Sequence, residues 1–284
     1  MEFTHASSEQ HYAGLVRAGE DALVCLDFDG VLAPIVEDPA AAHVHPDAAE
    51  VLLALAEEVR AVAVVTGRPA RQALALGGLE ELGAAMEARG RTLHLRGQYG
   101  NEQWSSDTGR VVSPRPPAGL TAFSAELPDV LAAADAREAF VEDKGLAVGV
   151  HTRRLPDPAG ALEALREPVA ALAARHDLVV EPGRHVLEVR AHGADKGAAV
   201  RELVAMTGAS AVLFAGDDLG DLAAFEEVAR LRSGGAEGLL VASVSDAADA
   251  VTALTDRADV VVDGPAGVLA LLRELTRDTA GARL

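Results

Sequence analysis

Cysteine, lysine, aromatic residues and positive charge are all scarce in this chain of 284 residues. Cys25 is the single cysteine, so no disulfide can form within the chain. Its place inside an apolar run marks a small core residue, not a nucleophile or a metal ligand. Aromatics make up only 3% of the chain, which argues against the base-stacking platforms that hold single-stranded nucleic acid. Against 44 acidic residues stand 25 basic ones, and the formal charge of -19 opposes a phosphate backbone or an anionic membrane surface. No uncharged apolar run has the length of a membrane span, and residues 1–20 lack the apolar stretch of a signal peptide. The expectation is a cytoplasmic chain, a monomer in its simplest state, that meets neither membrane nor nucleic acid and acts on a small molecule. Lysine occurs twice, as Lys144 and Lys196, each inside an Asp-Lys-Gly tripeptide. Elsewhere arginine supplies the positive charge, so these two positions point to sites that need a compact ammonium rather than a planar fork.

What is present in quantity is apolar sequence, 49% of the residues, enough for one large α/β domain or two smaller ones. The run Ala22-Leu23-Val24-Cys25-Leu26 has the length and content of a buried parallel strand, and it ends in Asp27-Phe28-Asp29-Gly30. Ligands bind at the carboxyl ends of strands in an open α/β sheet. Two carboxylates crowded there repel and call for a cation, a shared proton or a basic neighbour. Taken alone, the stretch is also compatible with an ordinary solvated turn.

Further elements follow in a regular rhythm. Asp47 can cap a helix through Val59, and residues 61–65 make a second buried strand that ends at Thr66-Gly67-Arg68-Pro69. Pro69 suits the first turn of the next helix, and strand–helix–strand of this length is a right-handed βαβ unit. Residues 92–96 form a third strand before the glycine-flanked Gly97-Gln98-Tyr99-Gly100. From about residue 111 the texture changes, with Ser113-Pro114-Arg115-Pro116-Pro117 as a linker. Helix 120–134, strands 139–142 and 146–151, helix 158–175 and strands 178–181 and 185–190 then make a self-contained α+β insert of roughly 80 residues. The α/β pattern resumes with a helix from Lys196 capped by Asp195, a strand 211–215 ending at Gly216-Asp217-Asp218, a helix from Asp221, strands 239–244 and 259–262, and a last helix from Pro265. The boundaries expected are a first core part over 1–112, an inserted domain over 113–192 and a second core part over 193–284.

The candidate chemistry sits at strand ends and helix starts of the core. Asp27 and Asp29 follow the first strand, Thr66 the second, Lys196 opens a helix, and Asp217 with Asp218 follows a later strand. A carboxylate nucleophile, a hydroxyl for phosphate oxygens, an ammonium and an acidic metal anchor are the parts that phosphoryl transfer from a monoester requires. In this order the set resembles the haloacid-dehalogenase superfamily. That resemblance implies a doubly wound, Rossmann-like α/β core with an inserted α+β cap domain. It also implies Asp27 as nucleophile, Asp29 as general acid/base, Thr66 on phosphate and Lys196 offsetting charge. Mg²⁺ would be held by Asp27, Asp217 and the backbone carbonyl of Asp29.

Motifs in the insert narrow the resemblance. Val141-Glu142-Asp143-Lys144-Gly145, Val150-His151-Thr152-Arg153 and Gly183-Arg184-His185-Val186-Leu187-Glu188, with Thr66-Gly67-Arg68 in the core, look like the trehalose-6-phosphate phosphatases. By that resemblance Glu142, Lys144, Arg153, Arg184 and Glu188 face the sugar and Arg68 lies near the phosphate. Carboxylates and cations suit a disaccharide, because unpaired buried charge penalises a sugar lacking the matching hydroxyl. On spacing alone, Glu142 to Lys144 reads as a polar hairpin turn with a surface ion pair. Three departures stand out. Gly216-Asp217-Asp218-Leu219-Gly220-Asp221 is poorer in acids than the family's motif, Val31 stands where the family often has Thr, and Gln98-Tyr99-Gly100 replaces a loop that often carries His. They leave open a related phosphorylated pseudo-disaccharide of validoxylamine type. A sugar-phosphate binding protein without catalysis is the remaining reading, and the presence of Asp27, Asp29, Lys196 and Asp217 together speaks against it.

Overall fold

The structure is a computed structural model that describes residues 3–36, 38–183, 185–245 and 251–283. The chain divides into two units, Met1–Val112 with Asp195–Leu284, and Ser113–Ala194.

In chain order the first unit contributes α1 (Ser8–Ala18), β1 (Ala22–Leu26), α2 (Ala48–Glu58), β2 (Ala61–Val65), α3 (Ala70–Gly77), α4 (Leu79–Glu87), β3 (Leu93–Gly97) and β4 (Glu102–Ser105). The second unit then provides α5 (Ala118–Ala133), β5 (Phe140–Asp143), β6 (Ala147–His151), α6 (Pro158–Arg175), β7 (Leu178–Gly183) and β8 (Val186–Ala191). The first unit resumes with α7 (Lys196–Thr207), β9 (Ala211–Gly216), α8 (Leu222–Ser233), β10 (Glu237–Ser243), α9 (Thr252–Thr255), β11 (Val260–Val262) and α10 (Gly264–Ala282).

Seven strands of the first unit form one sheet in the order β11-β10-β9-β1-β2-β3-β4, parallel except for β4 against β3. Both faces of this sheet are covered, which is why its central strands carry near-continuous apolar runs. Alternate residues of β1 feed two cores. Val24 and Leu26 pack with α1, α2, α4 and α10, while Leu23 and Cys25 pack with α7 and α8. Every residue of β1 and β2 is buried, and truncating a leucine in such a strand costs about 2–5 kcal/mol. Burial pushes the Cys25 thiol up to about 12, as suits an inert core residue. Val31 is fully buried in the first of these cores. Its departure from the family pattern therefore falls on packing, not on a group facing the site.

The second unit is a four-stranded antiparallel sheet, β5-β6-β8-β7, with α5 and α6 on one face. Val148, Val150, Leu187 and Val189 point into that apolar layer. The period of two then sends Gly149, His151, Glu188 and Arg190 to the opposite face. Among the described residues no helix is long and apolar enough to cross a membrane.

Two local expectations are corrected and a third is extended. Asp47 precedes α2 without capping it, because its carboxylate accepts instead from Arg273 at 2.6 Å. The loop expected after Gly97 is a tight turn. Gln98 and Tyr99 take left-handed backbone (φ 47° and 59°), and the chain returns as β4. The helix expected after Pro69 is two helices, broken at Gly78, whose φ of 57° ends the first.

Candidate active site

The register of the parallel sheet assembles the site. Leu26 lies beside Ala215 of β9 and Val64 of β2, so residues just past all three strands emerge at one edge. Asp27 donates its N–H to the carbonyl of Ala215 and turns its carboxylate into a buried position, 4% exposed. Phe28 anchors the turn that follows, its carbonyl accepting from Leu32 and Ala33. Gly30 has φ 68°, and a Cβ there would lie 2.3 Å from the Asp217 carboxyl carbon. Only glycine lets the loop approach that acid so closely. Buried Ser243 at the end of β10 donates to the Gly30 carbonyl at 2.6 Å, tying the loop to a strand two places away.

Lys196 enters at the first turn of α7, where Asp195 caps the helix through Ala198 N–H. Its ammonium is 3% exposed and lies 2.9 Å from Asp27 Oδ2 and 2.7 Å from Asp221 Oδ1. The other Asp221 oxygen accepts from the N–H groups of Asp217 and Asp218 at 2.9 and 3.2 Å. Asp221 thus shapes the acidic loop with both oxygens engaged, while Asp218 caps the following turn through Gly220 N–H.

Oxygens of Asp27, Asp217 and Asp221 all lie within 4.8 Å of one another. Burial pushes the Asp27 carboxyl well above the usual range; Lys196 counters part of this, and the charges of Asp221, Asp218 and Asp29 add to it. Asp217 is raised for the same reasons, burial first and then its acidic neighbours. Burial opposes the Lys196 ammonium, but Asp221 and Asp27 outweigh it and hold its pKa well above the ordinary lysine value. Asp27 Oδ1 is buried and has no hydrogen-bond partner among the described residues. A surplus of buried carboxylates over one ammonium, with one oxygen unsatisfied, fits a divalent cation. Asp27 and Asp217 are the side chains with oxygens to offer it, since those of Asp221 are already engaged.

The phosphate-side residues form a second knot. Thr66 is 1% exposed, and its hydroxyl oxygen accepts from Arg68 N–H at 3.1 Å. Arg68 donates to both oxygens of Asp29, each at 2.7 Å, and its guanidinium lies 5.2 Å from the centre of the Phe28 ring. Asp29 is therefore turned to Arg68, and its carboxylate stands outside the triad of Asp27, Asp217 and Asp221. Tyr99, whose role spacing did not reveal, lies so close to Gly67 that a Cβ there would come within 2.9 Å of the phenol. The signal available was its place between Gly97 and Gly100.

In the second unit two of the expected sugar-facing residues, Lys144 and Glu188, meet each other. Lys144, in the turn after β5, donates to Glu188 of β8, and both side chains are largely buried. Glu142 accepts from His151 Nε2 at 2.9 Å, and Arg190 donates to Glu181 at 2.9 Å. Arg153 lies just past the end of β6, half-buried. Arg184 falls outside the described residues. Asp143 turns its carboxylate back to Gly145 N–H, which accounts for it as a turn residue.

The fold is shared with a haloacid dehalogenase-like hydrolase from Bacteroides thetaiotaomicron, with a TM-score of 0.61 at 14% identity, over 89% of this chain and 99% of that one. The trehalose-phosphatase family profile matches residues 25–101 and 130–260, and the chain belongs to that family. A probable trehalose-phosphate phosphatase of Sinorhizobium fredii is 34% identical over 210 residues, 72% of this chain and 73% of that protein. An uncharacterized glycosyl hydrolase of Mycobacterium tuberculosis is also 34% identical, over 77% of this chain, but the chain spans only 16% of its length. The C-terminal domain of Candida albicans trehalose-6-phosphate phosphatase shares the fold with a TM-score of 0.75 at 19% identity, over 97% of this chain and 98% of that domain.

Proposed function

We propose that this chain is a Mg²⁺-dependent phosphatase that hydrolyses trehalose 6-phosphate to trehalose and phosphate through an aspartyl-phosphate. The observation that carries the reading is Asp27, whose Oδ1 is buried without a partner while Oδ2 is held by Lys196. The Asp27 carboxylate attacks phosphorus, the ester P–O bond breaks, and Asp29, having drawn a proton from solvent, gives it to the departing sugar oxygen. Asp29 then takes a proton from water, the hydroxyl attacks phosphorus, and the bond to Asp27 breaks to release phosphate. Lys196 offsets the charge on Asp27, and the Thr66 hydroxyl donates to a phosphate oxygen. A divalent cation on Asp27 and Asp217 would supply further charge neutralisation for the acids and the transferring group.

Arg68 has two tasks in this scheme. Without substrate it holds Asp29 through a two-point hydrogen bond. A phosphate group competes for the same guanidinium face, and winning it releases Asp29 to serve the leaving oxygen. Glu142, Lys144, Arg153, Arg184 and Glu188 are the residues proposed to bind the sugar. The test is phosphate release from a panel of sugar phosphates, with Mg²⁺ and after chelation. Brisk, Mg²⁺-dependent release from trehalose 6-phosphate, abolished in Asp27→Asn, is expected. Release only from another member of the panel overturns the substrate, and activity surviving Asp27→Asn overturns the mechanism.

A further inference from the structure

Phe140 opens β5 at the sheet edge of the second unit and is 46% exposed. A single exposed phenylalanine is ordinary. This one is held in a particular way, on the sheet face it shares with His151 and Glu188. Its cross-strand partner is His151, whose ring centre is 5.6 Å away at an interplanar angle of 38°. The guanidinium of Arg154 lies 5.2 Å from the centre of the Phe140 ring, a cation–π distance. His151 is itself positioned by a gap in the sheet surface. A Cβ on Gly149 would come within 2.9 Å of His151 Nε2, so the imidazole crosses bare backbone to reach Glu142. The result is a braced aromatic surface directly beside a carboxylate, with the Lys144–Glu188 pair further along the same sheet.

We propose that Phe140 is the stacking surface for a pyranose ring of the substrate and sets preference for sugar phosphates over phosphate esters without a sugar. This rests on the sugar-phosphate reading above and names a residue within it. A pyranose is hydrophilic around its rim, where hydroxyls project, and apolar on its faces, where axial C–H groups project. The rim suits Glu142, Lys144 and Glu188, and a face suits a flat ring that keeps its own position. Phe140 meets that need because Arg154 and His151 already restrain it, so little side-chain freedom is lost on binding. An aromatic ring also offers a large apolar area for the few torsions it must fix.

The experiment compares Phe140→Ala, Phe140→Leu and Phe140→Tyr with the wild type, on its best sugar phosphate from the panel and on p-nitrophenyl phosphate. Alanine and leucine are expected to raise KM for the sugar phosphate about tenfold with kcat little changed, tyrosine to stay near wild type, and no variant to alter p-nitrophenyl phosphate hydrolysis. An unchanged KM in Phe140→Ala, full function in Phe140→Leu, or an equal loss on both substrates overturns the proposal. A wild type that prefers no sugar phosphate over p-nitrophenyl phosphate overturns the sugar reading and this assignment with it. A wild type with a clear preference that survives in Phe140→Ala overturns this assignment alone.

Discussion

Gly30 shows how much of the site depends on one missing Cβ. A methyl group there meets the Asp217 carboxyl at 2.3 Å and must also adopt φ 68°. Asp217 would have to move, and an error of about 1 Å in a reacting constellation costs roughly 100-fold. Gly30→Ala is therefore expected to lower kcat/KM about 100-fold, while the left-handed backbone alone costs stability about 1–2 kcal/mol. Phosphate release and thermal unfolding on the same sample separate the two effects. Arg68→Gln tests the competition for Asp29. It removes the two-point hold on Asp29 and the phosphate contact together, so product inhibition by inorganic phosphate should weaken about tenfold along with kcat/KM. Unchanged inhibition would remove Arg68 from the phosphate. At this scale the sequence reveals residues whose position follows from a strand end, such as Asp27, Thr66 and Asp217. It conceals Ser243, which meets Gly30 from 213 residues away, and Asp221, whose use depends on where the loop folds back.

Elements were legible where burial and chain length speak together. The runs over 22–26 and 61–65 are strands of those bounds, since a fully buried parallel strand leaves an unbroken apolar run. β4 was hidden because its partly exposed residues, Glu102, Gln103 and Ser105, show no apolar run, and its pairing depends on the left-handed turn before it. The junction of α7 and α8 was also invisible, because it is made by side chains on separate helices. Glu227 is 3% exposed and accepts from Arg230 at 2.6 Å and from Arg201 at 2.9 Å. Those hydrogen bonds, Arg230 foremost, hold its carboxyl down at about 2. A depressed carboxylate stabilises the fold above its unfolded value, ordinarily 4.5, and loses that contribution as pH falls through about 2. Glu227→Gln should thus be less stable than wild type at pH 7 by about 1 kcal/mol, since both arginines are well exposed and solvent weakens the pairs. Urea unfolding should show the gap narrowing below pH 4.5. A gap that stays constant to pH 3 would mean packing, not charge, holds Glu227.

For the whole molecule the governing fact is negative charge, -19 overall, with several carboxylates gathered at one buried place. Asp27 and Asp217 have raised pKa values because burial and their neighbours disfavour the charged form. The sign follows directly. Above the ordinary carboxylate range of about 4 the folded protein holds protons that the unfolded chain has released, so stability falls as pH rises until these acids ionise in the fold. A cation on the same oxygens favours the ionised form and reverses the trend. The chelated protein should therefore melt at a lower temperature at pH 8 than at pH 5, and millimolar Mg²⁺ should raise the melting temperature more at pH 8. At a concentration 100 times the dissociation constant the gain is about 2.7 kcal/mol, a rise of several degrees for a unit of this size. Asp217→Asn should flatten both the pH dependence of the chelated protein and its response to Mg²⁺, with the far-ultraviolet circular dichroism unchanged. A melting temperature indifferent to Mg²⁺ at both pH values would show that the acidic cluster is stabilised by its own protons and by Lys196, and would remove the metal from the site.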